Sequence, residues 1–403
     1  MAKRVSLIQR RKQVGLTQEK LADLLEIDRK TVRRWELGEC APTPETRPAL
    51  ATALALSLEQ LAVVLEAETP AIATPRALPG SLLSCAPLGQ DVLGMGELEH
   101  LHQDMRVLIE LDNRYGADNI AGLAVQLFRS LLRYVSAGRV APSLLRDFQA
   151  AAAELGEIAG WLLYDANQQP LMRAINHEAR HLTHLSGDSS MELLLLQNMS
   201  MQACHLGQVA DALGIATMVL EGRSLSPRLR ALFGIRKARA LALAGDMAQA
   251  TDTLAQAWSY YGDGVRGDDP AWAWWISERE LSFHGFMIAA DGNDWSGGIR
   301  MVQESIELTP HDHQRGIYIR LACLLRAQVE LGLWDEARQT IESLARMVPA
   351  VGSSRTVAHI HLVLKRMDML KPAAGVWEGA RMLGEVLCDA GYAEIPITPS
   401  HMA

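Results

Sequence analysis

The sequence predicts an all-α protein in two parts, a small five-helix head and a long array of helical hairpins. Three observations carry that expectation. The 403 residues are 49% apolar but only 5% aromatic, and their alanine and leucine content favours helices over sheets. Residues 17–36 read as two short amphipathic helices around a tight turn. Beyond about residue 95, a phrase of helix, polar turn and Ala/Leu-rich helix keeps returning. A chain of this length exceeds one core and divides into domains.

A first helix is expected from Val5 to Val14, closed by Gly15. Thr17 suits the start of a second, where its hydroxyl can accept from an orphan N–H. Leu21, Ala22 and Leu25 form that helix's buried face, with Ala22 small where two helices cross. Ile27 anchors the turn and Asp28 caps a third helix, on which Val32 and Trp35 point inward at a three-residue spacing. Gly38 fits a left-handed C-terminal cap. Glu45–Leu56 makes a fourth helix, and Ser57 caps a fifth that ends near Leu65.

Charge is divided unevenly. The net value is −8, yet residues 1–34 hold 10 Lys/Arg against 4 Asp/Glu, and residues 1–66 hold 11 against 9. The remainder holds 28 against 38. A cationic patch is therefore local to the head, and an acidic body would be repelled by phosphate. The third helix alone carries Arg29, Lys30, Arg33 and Arg34. A short helix of this kind after a tight turn is the shape that enters the DNA major groove. The plainer reading of the four cations is a solvated helix face.

The phrase GLTQEKLADLL-EIDRKTVRRWELG-ECAPTPE resembles the Xre/Cro/phage-repressor helix-turn-helix family over residues 4–66, with Gln18, Ala22, Val32, Glu36 and Gly38 in register. The resemblance implies a lambda-repressor-like head that binds double-stranded DNA. Arg29, Lys30 and Arg34 then occupy base-reading positions, Arg33 lies beside a phosphate or a neighbouring base, and Thr31 shares the same face. Gln18 matches a phosphate-clamping position at a helix N-terminus. Arg11 and Glu36 match an internal ion pair, and Trp35 is core. Arg10 and Lys12 touch DNA backbone or nothing. Two departures stand out: Glu26 occupies a turn position usually held by Gly, and the loop 39–45 carries no cation. A head lacking those phosphate contacts binds weakly alone, which dimerisation on two half-sites of a palindromic operator would offset.

Residues 67–95 contain Pro70, Pro75, Pro79 and Pro87, a spacing no helix survives, and read as a linker between the head (1–66) and the body (96–403). Leu82, Leu83 and Leu93 suggest that part of it packs. In the body, turns centre on Asn167, Gly207, Gly245, Gly292 and Gly332, at intervals of 40, 38, 47 and 40 residues. Trp334, Ala337, Ile341 and Leu344 share one helix face, and Ala250 and Ala337 are small enough for close helix pairing. LGLWDEA and similar fragments resemble tetratricopeptide repeats, and the longer phrases GWLLYDANQQ and DDPAWAWW resemble the C-terminal part of actinobacterial Xre regulators. The architecture is similar to that of peptide-sensing Gram-positive regulators. That resemblance implies a right-handed superhelix with a concave ligand groove and a homodimer contact. Periodicity alone implies stacked hairpins.

In such arrays the first helix of each pair builds the concave face. Asn198 and Gln202, one turn apart, are candidates to hold an effector, since an amide both donates and accepts. Arg236, Arg239, Trp275, Glu278 and Arg320 are the others, a peptide or small molecule being the expected ligand. For each the plainer alternative is a hairpin-to-hairpin hydrogen bond. The cluster Trp272, Trp274, Trp275 reads first as repeat packing.

No chemistry of catalysis stands out, and no cofactor is expected. His177, His181 and His184 share a helix face but lack companion ligands, and Gly292–Gly298 lacks the Lys-Ser/Thr of a phosphate loop. Cys40, Cys85, Cys204, Cys323 and Cys388 lie far apart, as buried thiols of a reducing cytosol would. No signal peptide or membrane span is expected. The reading is a cytoplasmic, nucleoid-associated, effector-responsive transcription regulator. Its rival is a protein-interaction scaffold in which DNA contact is secondary.

Overall fold

The computed structural model describes residues 7–8, 10–11, 14, 16–25, 27–37, 42–43, 46–54, 56, 61, 92–370 and 374–392. The chain divides into two compact units, residues 1–77 and 78–403. Among the described residues regular structure is helical, apart from one parallel bridge, Leu93 to Val140.

In the first unit, Leu7, Ile8, Arg10 and Arg11 are helical and precede α1 (Gln18–Leu24), α2 (Arg29–Glu36) and α3 (Arg47–Ala53). Thr17 caps α1 by accepting from the Lys20 amide at 3.1 Å, and Asp28 caps α2 through the Lys30 amide at 2.6 Å. Leu21, Ala22, Val32, Trp35, Leu50 and Leu61 meet in the core. α3 is shorter than the expected fourth helix and starts later, at Arg47, with Pro48 in its first turn where a missing N–H is harmless. Gly15, Glu26, Gly38, Lys12 and most of the expected fifth helix lie outside the described residues, as do residues 67–91 of the expected linker. At its other end that segment is packed, with Leu93 buried.

The second unit is a run of paired helices: α4 (Met95–Tyr115) with α5 (Ala121–Ser136), α6 (Leu145–Asp165) with α7 (Gln169–Ser186), α8 (Ser189–His205) with α9 (Val209–Gly222), and α10 (Pro227–Leu243) with α11 (Met247–Gly262). Then follow α12 (Glu278–Asp291) with α13 (Trp295–Glu307), α14 (Gln314–Glu330) with α15 (Trp334–Met347), and α16 (Ser354–Leu370) with α17 (Ala374–Asp389). Five of the hairpins turn on a left-handed residue: Asn167 (φ 57°), Gly207 (68°), Gly245 (85°), Asn293 (60°) and Gly332 (68°). The fourth of these corrects the expected Gly292, whose φ is −88°. In each turn the next N–H reaches back to the carbonyl five residues earlier, as from Gln208 to Ala203 (2.8 Å) and Asp246 to Leu241 (3.0 Å). That bond satisfies a helix-end carbonyl. Ala250 and Ala337 are fully buried where their helices cross partners. Cys204 and Cys323 are buried as expected, whereas Cys388 is exposed.

The first and last hairpins of this unit meet. Gly116 lies so close to Gly352 that a Cβ on it would stand 2.3 Å from the Gly352 oxygen. The Gly352 amide donates to Tyr115 O (2.8 Å) and the Asp118 amide to Gly352 O (3.1 Å). The Asp118 carboxylate then accepts from the Ser354 amide (3.0 Å) and hydroxyl (3.1 Å) and from Tyr392 OH (2.7 Å). The array therefore closes on itself, and its concave side surrounds a cavity.

Candidate functional site

Two places carry functional chemistry, one in each unit. In the first, α2 buries Val32, Trp35 and Glu36 and leaves Arg29, Lys30, Arg33 and Arg34 exposed, with Thr31 partly so. The apolar i, i+3 pair holds the helix down, so the cations are presented on its outer face. Arg29 Nη1 meets Glu19 Oε1 at 2.9 Å, but both side chains are more than 60% exposed. Such a pair contributes about 0–1 kcal/mol and yields readily to a phosphate or a base edge.

Beneath this surface the carboxylate of Glu36 is buried. It accepts from Arg11 Nε (2.6 Å) and Gln18 Nε2 (2.5 Å), and Arg11 Nη1 also donates to Leu16 O (2.7 Å). The Arg11–Glu36 pair stands as expected, and Gln18, expected at a phosphate, here bonds to Glu36. Its amide nitrogen turns inward, because a buried carboxylate with a free lone pair is the stronger acceptor. Gln18 thus supports α2 from α1. Arg10 Nε donates to Leu54 O at 2.9 Å, which ties the leading helix to the end of α3.

In the second unit the interior of the closed array holds a cavity of about 500 Å³. Its walls are mainly the first helices of the hairpins, and polar contacts link them across the wall. Trp161 Nε1 on α6 donates to Asp112 on α4 (3.0 Å). Asn198 on α8 donates to Glu157 on α6 (2.7 Å), and Gln197 beside it donates to Asn198 Oδ1 (2.5 Å). Arg236 on α10 donates to Gln197 Oε1 (3.1 and 2.7 Å) and meets His284 Nε2 on α12 at 2.7 Å. Glu280 on α12 pairs with Arg320 on α14 (2.7 Å), and Arg315 on α14 with Asp112 on α4 (2.9 Å). Arg355 on α16 pairs with Asp165 on α6 (2.8 Å).

Burial shifts several of these groups. Glu157 is pushed up to about 7, mainly by desolvation and against the Asn198 hydrogen bond. Asp112 is raised to about 6 by desolvation, opposed by Arg315. His284 is held well below its usual value by burial and by Arg236, Arg239 and Arg320, so its imidazole is neutral.

Of the seven residues expected to touch an effector, Asn198, Arg236, Arg239, Trp275 and Arg320 line this cavity. Most of them also make the hairpin-to-hairpin bonds that were the plainer alternative. Gln202 does not line it. Buried against α7, its amide donates to Gln169 O (2.8 Å) and Oε1 (3.1 Å), so it joins hairpins. Glu278 is exposed at the first position of α12, and Glu280 faces inward in its place. Trp272 and Trp274 line the cavity along with Trp275, where packing alone was expected; Trp272 and Trp275 stack with ring centroids 6.5 Å apart. Sequence reasoning passed over Glu157, Trp161 and His284. The available signal was their place on the first helices of hairpins, and His284 also lies within two turns of Glu278.

Residues 7–61 match the family model described as Helix-turn-helix. The head is a helix-turn-helix domain, which supports a role in DNA-binding transcription regulation. No curated protein matches the chain. No described helix is long and apolar enough to cross a membrane.

Proposed function

We propose that this protein is a sequence-specific transcription regulator whose helical body senses a small-molecule effector. The observation that carries the reading is the pairing, in one chain, of four outward cations on the second helix of a helix-turn-helix with a polar and aromatic cavity in a separate unit. A cavity of this size with a mixed polar and aromatic lining suits a small ligand. The hairpins, with their repeated left-handed turns, are of tetratricopeptide type, and the chain works in the cytoplasm as a homodimer on a palindromic operator. An effector acts by binding one arrangement of the body more tightly than another.

The test is a mobility shift on the protein's own promoter region, titrated with salt. Wild type binds one fragment with a steep salt dependence. Arg29→Ala/Arg34→Ala loses discrimination by about 1–3 kcal/mol for each base contact removed. Unchanged binding by the double variant, or failure to select any sequence from random DNA, overturns the regulator reading and leaves the body as a scaffold. Sedimentation of the free protein as a monomer at the concentrations used would remove the dimer.

A further inference from the structure

Six arginines line the cavity, and five have carboxylate partners. Arg239 lies 3.4 Å from Asp291, Arg279 3.3 Å from Glu280, and Arg320, Arg315 and Arg355 hold the pairs described above. Arg236 is the exception. It is 4% exposed, and its hydrogen-bond partners are neutral, the Gln197 carbonyl and the His284 ring. Because Arg236 donates to Nε2, the His284 hydrogen belongs on Nδ1. That nitrogen is buried with no acceptor, and the ring is 6% exposed. A guanidinium hydrogen-bonded to neutral groups, with Glu280 as its more distant counter-charge, and an N–H without an acceptor therefore stand together, both at a desolvation cost.

Glu154 and Glu157, on α6, are the carboxylates of the lining that have no arginine partner. They do not neutralise Arg236. Burial brings Glu157 to about 7, so near neutral pH it is only partly ionised, while Arg236, lowered to about 10, keeps its charge. The six arginines of the lining outnumber their four carboxylate partners, Asp112, Asp165, Glu280 and Asp291, so the interior keeps a positive excess.

The lining also has a flat apolar side. The interval from Gly245 to Asn293 is longer than its neighbours because residues 263–277 are inserted between α11 and α12. That insert carries Trp272, Trp274 and Trp275 to the cavity, near Phe283. Insertions within repeat arrays characteristically serve the binding face.

We propose that the interior takes a small organic monoanion, its acid group on Arg236 and its flat apolar body against the indoles of the 263–277 insert. The inference rests on the sensor reading and names the ligand's chemistry. The other five arginines each lie against a carboxylate, Glu280 serving both Arg279 and Arg320, so Arg236 is the lining guanidinium best placed to take an acid group.

The test uses the full-length protein and three probes of one shape: 2-naphthoate, 2-naphthamide and 2-naphthylmethylammonium. Binding is followed by calorimetry and by quenching of tryptophan fluorescence. The acid binds about 30-fold more tightly than either analogue, as expected for a desolvated charge pair. Arg236→Gln abolishes that preference with little change in amide binding, and Arg236→Lys retains part of it. Equal binding of acid and amide, preference for the amine, a preserved preference in Arg236→Gln, or no binding of the acid at millimolar concentration overturns the proposal. Should Arg236→Gln fail to fold, the ranking of the three probes on wild type decides alone. The mobility shift repeated with saturating naphthoate separates the two ideas. Acid preference with unaltered DNA affinity keeps the anion site and sinks its coupling to DNA.

Discussion

Glu36 is 3% exposed, Arg11 7%, and their contact holds the leading helix of the head against α2. Breaking such a pair by removing one partner leaves an uncompensated buried charge and costs about 3–5 kcal/mol. Arg11→Met alone therefore abolishes DNA binding and lowers the head's thermal transition, while Arg11→Met/Glu36→Leu recovers much of the stability. The identity of this pair was legible in the motif. The inward turn of Gln18 was not, because a sequence position specifies reach but not which neighbour claims the amide. Glu157 gives a pH-dependent case. Its folded value of about 7 lies above the ordinary 4.5, so the folded protein binds the extra proton. Stability from this group is therefore full at low pH and is lost as pH rises through about 7. Glu157→Gln, which keeps an acceptor for Asn198, is neutral near pH 5 and raises stability near pH 8 by about 1–3 kcal/mol. Thermal melts of both proteins at the two pH values check it.

At the scale of the element, the hairpins were readable because each turn needs a residue that tolerates positive φ, and Gly or Asn supplies it at a near-constant interval. The one misplaced turn, Gly292 for Asn293, shows how a neighbouring pair of such residues leaves the choice open until the backbone is seen. Gly245 tests the point cleanly. Its φ is 85° and a Cβ there would meet nothing within 4 Å, so Gly245→Ala costs about 1 kcal/mol from backbone strain alone. Chemical denaturation would show an unchanged slope and a lower midpoint. Helix phase explains the error at α12. Glu280, Phe283, His284 and Met287 face the cavity at the i, i+3, i+4, i+7 spacing of one face, and Glu278 precedes that face by two residues. Only the start of the helix fixes that phase, and the Trp-rich insert before it obscured the start.

At the scale of the body, closure of the array was invisible in the sequence. It joins residues 115–118 to residues 352–354 and 392, and no local pattern announces a contact across such a separation. The seam is also the place where the fold is least forgiving. Gly116→Ala forces a Cβ into the Gly352 carbonyl at a backbone φ of 77°, and the expected loss is more than about 2 kcal/mol. Asp118→Ala removes the acceptor shared by Ser354 and Tyr392 and weakens the same seam. Melting temperature and naphthoate affinity should fall together in both variants, since the seam encloses the cavity. A melting temperature that falls while the cavity keeps its affinity would mean that the interior does not depend on the seam.

An open solenoid frays from its ends, since each terminal repeat has a neighbour on one side only. The meeting of Gly116 with Gly352 removes that freedom: the outermost hairpins brace each other, and none can peel away without breaking contacts at both ends of the array. The body is therefore expected to melt as one cooperative unit, with amide exchange in α4 and α16 as slow as in α10, rather than unravelling one hairpin at a time.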